Sequence, residues 1–190
     1  MANNHAVNYW LAHKRVADLI DWETVDILAE RLAELRDRQG VLYVVGLGGS
    51  MANAQHMAAD LRKLCFIDAR SQDNMAEMTA RANDTGWSSA FDGLLINIKK
   101  EDALFVLSVG GGTHEVSTPI TCAILACKAT GMEVYGIVGP NGGATKEHGD
   151  LVITIPAKHD PTPHTESFQA VLWHCLVTNP ILQKEQMKWK

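Results

Sequence analysis

No run of eighteen consecutive apolar residues occurs in this 190-residue sequence, so no membrane-spanning helix is expected. The opening residues, MANNHAVNYWLAHKR, also lack the uninterrupted apolar core of a secretory leader. A basic excess is missing. Lys and Arg number 17 against 22 Asp and Glu, a formal charge of -5, and no Lys/Arg cluster interrupts it. That balance argues against a nucleic-acid partner. Cysteine is sparse, and Cys65, Cys122, Cys127 and Cys175 show no CxxC spacing; all fall in apolar helical patterns and read as reduced core residues. A cytoplasmic protein follows from these absences. No internal repeat or low-complexity tract divides the chain, and 46 % hydrophobic with 21 % charged content is ordinary for a globular protein. One domain over residues 1–190 is expected.

What the sequence does contain is concentrated between Val41 and Leu64. Val41, Leu42, Tyr43, Val44 and Val45 run without alternation into Gly46, Gly48 and Gly49, the pattern of a strand buried on both faces of a parallel sheet. Ser50 then offers an N-cap hydroxyl, and residues 51–65 contain neither Gly nor Pro. Strand, glycine turn and helix N-terminus together favour an anion such as a phosphate, through free N–H groups and the positive end of the helix dipole. Along that helix Met51, Ala54, Ala58, Leu61 and Cys65 form an apolar stripe. Asn53, His56, Asp60 and Lys63 gather opposite, which makes His56 and Asp60 neighbours one turn apart.

Two helices are expected before this strand. Val7, Trp10, Leu11, Val16, Leu19 and Ile20 recur at helical spacing, as do Val25, Leu28, Ala29, Leu32 and Leu35, the second segment stopping at Gly40. Trp10 and Trp22 on these leading helices, residues 1–40, hint at a subunit interface. Residues 65–82 are mixed, with a short strand or irregular crossover. Asn83, Asp84, Thr85 and Gly86 then read as a turn, and Trp87 to Lys99 as a helix. Ala103 to Val109 is a second buried strand opening into Gly110, Gly111, Gly112 and Thr113. A helix over about 115–130 tolerates Pro119 in its first turn. Val134 to Val138 and Leu151 to Ile155 are further strands, and the last helix covers about 165–178. Alternating strands and helices predict a doubly wound, right-handed α/β sheet over residues 41–190.

Two glycine turns of one kind, GLGGS and SVGGGT, matter more than either alone. Ligands of open parallel sheets bind outside the carboxyl ends of strands, where the strand order switches. Neither turn has a GxGxxG order with a downstream acid, nor GxxxxGK[ST], so a small sugar phosphate fits better than a nucleotide. Ser50, Ser108 and Thr113 supply hydroxyls and the glycines supply N–H groups. The closing segment HTESFQAVLWHCLV is apolar almost all round and should be buried, which singles out Glu166, Gln169 and His174. With His56 and Asp60 they make two histidines and two carboxylates on two helices, suited to a divalent ion and equally to proton shuttling. His5, His13, His114, His148 and His159 read as surface residues.

The segment GLGGSMANAQHMAAD resembles the GNGGSxxxAxHxAxE segment of the phosphoheptose isomerases, a branch of the sugar isomerase (SIS) domain family. ANDTGW is similar to their ANDxGx turn, LSVGGGT to their STSGNS phosphate loop, and the last helix to their metal-binding C-terminal helix. This resemblance spans nearly the whole chain and implies a flavodoxin-like single domain. It further implies a homotetramer with active sites at subunit interfaces, converting sedoheptulose 7-phosphate into heptose 7-phosphate through an enediol. By motif, catalysis falls to Asp60 and His174, and zinc to His56, Asp60, Glu166 and His174. Substrate contacts fall to Leu47, Gly48, Gly49, Ser50, Asn83, Asp84, Ser108, Val109, Gly110, Thr113 and Glu166. Four positions depart from the pattern: Asp60 for Glu, Glu166 for Gln, Leu47 for Asn and Gly110 for Ser. The last two remove polar contacts and point to an altered sugar. The resemblance also admits an isomerase of another long-chain sugar phosphate, from a capsule or natural-product pathway, and a non-catalytic sugar-phosphate sensor.

Overall fold

A computed structural model describes residues 4–159 and 161–186. Helices α1 (His5–Asp18) and α2 (Trp22–Asp37) precede the sheet, the second started by Asp21, whose carboxylate accepts from the Thr24 N–H at 3.2 Å. Then follow β1 (Val41–Val45), α3 (Gly49–Cys65), β2 (Asp68–Ser71), α4 (Met75–Asp84) and β3 (Ala103–Ser108). The chain closes with α5 (Thr118–Thr130), β4 (Glu133–Val138), α6 (Gly143–His148), β5 (Leu151–Thr154) and α7 (Pro161–Thr178). The five strands are parallel in the order β2-β1-β3-β4-β5, the expected doubly wound α/β arrangement.

Strand residues alternate between two apolar layers, as pleating requires. Leu42, Val44, Phe105, Leu107, Tyr135 and Ile137 face the layer made by α2, α3 and α7, with Leu28, Leu32, Leu61 and Leu172 at its centre. Tyr43, Val45, Leu104, Val106 and Val134 face the other, filled by Ile120, Ile124 and Cys127 of α5 and by Phe91. Both faces of the sheet are thus covered at its centre, which is why β1 and β3 read as unbroken apolar runs, whereas the edge strand β2 does not.

Several local expectations are corrected. Residues 65–82 hold β2 and most of α4, and Asn83 and Asp84 are the last helical residues rather than a turn. Trp87 to Lys99 is no α-helix: one 3-10 turn, Trp87–Ser89, leads into irregular turns. Gly93 weakens helical propensity there and Asn97 adopts φ 64°. Meanwhile Phe91, Leu94, Leu95 and Ile98 still pack on the sheet. Helix α5 begins at Thr118 because Pro119 fits its first turn and Ser117 is left-handed at φ 60°. Helix α6, after the GPNGG turn, has no counterpart in the sequence reading.

Burial differs too. Helix α7 is not buried all round: Val171, His174 and Cys175 face outward. Of the cysteines, Cys65 and Cys127 are in the core, whereas Cys122 and Cys175 are exposed, and all four are free thiols.

Candidate functional site

The chain leaves β1 toward β2 on one side and returns to β3 on the other, so the carboxyl ends of β1 and β3 flank the point where strand order reverses. Here the loops enclose a pocket of about 240 Å³ lined by Leu47, Ser50, Ser108, Val109, Gly110, Thr113 and Glu166, all anticipated from the sequence. Gly112, Val116, Ser117 and Thr162 complete it. Gly112 belongs to the glycine turn singled out in the sequence; the other three carry no signal there, because their presence depends on how the β3 loop and the start of α7 fold over.

Backbone geometry explains the glycines. Gly48 caps α3 at φ 60°, ψ -130°, a conformation open essentially to glycine alone, so the helix starts at Gly49 and Ser50 lies inside its first turn instead of capping it. Gly111 sits at φ 73°, and a Cβ there would fall 1.8 Å from the Gly142 carbonyl oxygen. Ser108 Oγ accepts from the Gly111 N–H at 3.0 Å, tying the loop to the end of its own strand. The pocket walls combine hydroxyls, backbone and one carboxylate with the apolar side chains of Leu47, Val109 and Val116, and no Lys, Arg or His is among them.

A wider cleft of about 490 Å³ lies at the amino ends of the strands, lined by Arg38, Arg70 and Asp102 among others. Its charged groups are used structurally. Asp102 accepts from the Val41 and Lys99 N–H groups, Arg38 donates to Glu101 O, and Arg70 pairs with Asp68. The switch-point pocket is therefore the better candidate for a ligand.

Helices α3 and α7 run side by side in the same direction. Glu166 lies against Gly49 at their starts, Asn53 donates to Glu166 O (3.0 Å) and Gln169 Oε1 (3.1 Å), and Cys65 Sγ reaches Val177 O at 3.6 Å near their ends. Between these, the ring of His56 stands edge-on to Trp173 and His174, at centroid separations of 4.6 and 5.6 Å. The result is a cluster: donor atoms of His56, Asp60 and His174 all lie within 4.8 Å of one another, with His56 Nε2 3.6 Å from Asp60 Oδ2. His174 Nδ1 lies 2.8 Å from Ala170 O, which can only accept, so Nδ1 donates there and Nε2 is the ring nitrogen left for a ligand. Two imidazoles and a carboxylate fit a divalent ion that accepts mixed N/O ligands and keeps a position open.

A model described as SIS domain matches residues 12–139. The chain belongs to the SIS domain family. It is 31 % identical over 153 residues to the phosphoheptose isomerase of Helicobacter pylori (strain P12), covering 76 % of each chain. It is 30 % identical over 149 residues to the lincomycin biosynthesis protein LmbN of Streptomyces lincolnensis, covering 72 % of this chain and 54 % of that one. In fold it superposes on a phosphoheptose isomerase from Francisella tularensis with a TM-score of 0.80 at 21 % identity, covering 97 % of this chain and 100 % of the other.

Within this SIS domain the implied metal set is divided. Glu166 is absent from the His56, Asp60 and His174 cluster among the described residues. Eight residues separate it from His174, about 12 Å along an α-helix, and its carboxylate turns to the glycine pocket instead. Asn83 and Asp84 do not line the pocket either; at the exposed end of α4 Asn83 Nδ2 donates to Asp84 Oδ1 at 2.8 Å. The sequence reading also missed a pairing. His13, expected at the surface, is half-buried with its Nδ1 2.9 Å from Nδ1 of the buried His164, and Tyr9 stacks on His164.

Proposed function

We propose that this chain is a phosphosugar aldose–ketose isomerase, with sedoheptulose 7-phosphate as its leading substrate. One observation carries the reading: a glycine-lined pocket of about 240 Å³ and a His56, Asp60, His174 cluster occupy the same pair of parallel helices. Amides of the α3 start and hydroxyls of Ser108 and Ser117 receive the phosphate, with no cationic side chain needed, while the Thr113 hydroxyl holds the loop through Val116 O. The Asp60 carboxylate carries the proton between C1 and C2 as the enediol forms and collapses. His174, oriented by Ala170 O, exchanges the proton on the sugar oxygen. A divalent ion, zinc by the family pattern, would be held by His56, Asp60 and His174, and would supply polarisation of the substrate oxygens.

The cluster is open in a single chain, His56 being 60 % and Asp60 20 % exposed at the side chain. That openness, with Val7, Trp10 and Leu11 bare on α1, supports a homotetramer in which neighbouring copies close the sites. A panel of ketose phosphates assayed by NMR with the zinc-loaded chain tests the function. Turnover is expected with the seven-carbon substrate, and loss of about 10²–10⁴-fold in Asp60→Asn and in His174→Ala. Full activity in both variants would end the assignment.

A second reading keeps the chemistry and changes the sugar. Leu47 and Gly110 line the pocket without polar side chains, and LmbN is named for lincomycin biosynthesis. The same panel decides, by which ketose phosphate gives the highest kcat/KM.

A further inference from the structure

We infer that Glu166 is an internal anion of the glycine pocket, seated where the phosphate of a substrate must settle, and that it sets how strongly this site accepts phosphate. The inference rests on the sugar-phosphate reading above. Its geometry is independent of catalysis. Gly49 is the first residue of α3, and a Cβ built on it would lie 2.6 Å from Glu166 Oε2 and 2.7 Å from Oε1 and Cδ. The carboxylate therefore lies flat on the bare face of that glycine, at the positive end of a 17-residue helix whose Gly48 cap offers no side-chain acceptor.

Helix register delivers it there. Asn53 of α3 grips the carbonyl of Glu166 and the side chain of Gln169, while Thr165 and Gln169 on either side are fully buried. The backbone at Glu166 is consequently held, and only its side chain can move away from Gly49. No cationic side chain offsets the charge, which draws on the same α3 amides that a phosphate would need. Among the described residues no Lys, Arg or His lines the pocket, and no ion pair with Glu166 is formed.

A phosphate entering this seat meets a carboxylate at close range in a partly desolvated recess, where like charges repel far more than in bulk water and salt screens them poorly. Binding must either swing Glu166 off Gly49 or bear that repulsion. Both weaken phosphate relative to the same pocket with a neutral side chain of equal size. Glu166 is thus a specificity-determining residue, penalising dianions and sparing neutral sugar hydroxyls, which can donate to it.

The test is calorimetric titration of inorganic phosphate at pH 8 into the zinc-loaded full chain, as the parent and as Glu166→Gln and Glu166→Ala. Thermal melting establishes that each variant is folded. The Kd for phosphate is expected to fall at least tenfold in every folded variant. KM for the phosphorylated ketose should fall with it, while kcat changes less. An unchanged or weaker phosphate Kd overturns the inference, the weaker case making Glu166 a direct ligand; so does absence of phosphate binding in all three proteins. Tighter phosphate binding without turnover leaves the inference standing and removes the isomerase reading. Turnover with unaltered phosphate affinity does the reverse.

Discussion

Single residues in this chain differ sharply in how replaceable they are, and the reasons are local. Gly110 and Gly111 are neighbours in the β3 loop, yet a Cβ on Gly110 meets nothing within 4 Å while one on Gly111 meets a carbonyl at 1.8 Å in a left-handed conformation. Gly111→Ala is expected to destabilise the chain by roughly 3 kcal/mol or more, and Gly110→Ala by less than about 1 kcal/mol, as read from urea midpoints. Thiol chemistry separates residues just as clearly. Burial pushes the Cys127 thiol up to about 12 and that of Cys65 up to about 11, and both lie in the core. A disulfide-exchange reagent at pH 8 should label Cys122 and Cys175 of the native chain. Cys65 and Cys127 should react only after denaturation.

At the scale of elements, the pairing of α3 with α7 organises the site. One helix brings Ser50 to the glycine pocket and His56 and Asp60 to the cluster; the other brings Glu166 and His174 to the same two places. Asn53 is the polar tie between them, donating to Glu166 O and Gln169 Oε1 in an otherwise apolar contact. Removing it in Asn53→Ala leaves buried Gln169 without that partner. The expected cost is about 1–3 kcal/mol, with zinc affinity falling as the helices lose register. Chemical denaturation and metal titration on the same samples measure the two effects separately. Chelation of metal is expected to abolish isomerase activity while leaving the helical circular dichroism unchanged, since the sheet and both apolar layers contain none of the cluster residues.

For the whole molecule, buried acids of high pKa set the alkaline limit. Burial is the first cause of the raised values at Cys65, Cys127 and Tyr43, the first two from a reference of 9.0. Each stays protonated in the folded chain after its unfolded counterpart has ionised. Stability from these groups is therefore complete below about pH 9 and is lost as pH rises toward about 12. Urea midpoints should hold level from pH 7 to 9 and decline above it, less steeply in Cys127→Ala. Assembly belongs to this scale as well. Trp10 is 68 % and Val7 54 % exposed on α1, an apolar strip that none of the described residues covers. Trp10→Lys is expected to lower the mass seen by light scattering while the melting of an isolated chain changes little.

How much of this was readable before folding is clearest where spacing alone decides. Unbroken apolar runs at Val41–Val45 and Ala103–Val109, each opening into glycine, specify strands covered on both faces and place the pocket at their carboxyl ends. The helical period that joins His56 to Asp60 depends only on 3.6 residues per turn, and it survived folding unchanged. Residues 87–99 misled because the same apolar content serves a helix or a run of turns laid on a sheet, and only packing chooses. Glu166 shows the limit most plainly. Its place on α7, two turns from His174, was legible, but that its carboxylate rests on Gly49 is set by the packing of α7 against α3. Local chemistry and periodicity are carried by neighbours in the chain, so the sequence alone determined the central strands, the two glycine turns and the polar stripe of α3. Which faces meet, at what register, and which side chains they leave open is a property of contacts more than a hundred residues apart, and only the tertiary structure decided it.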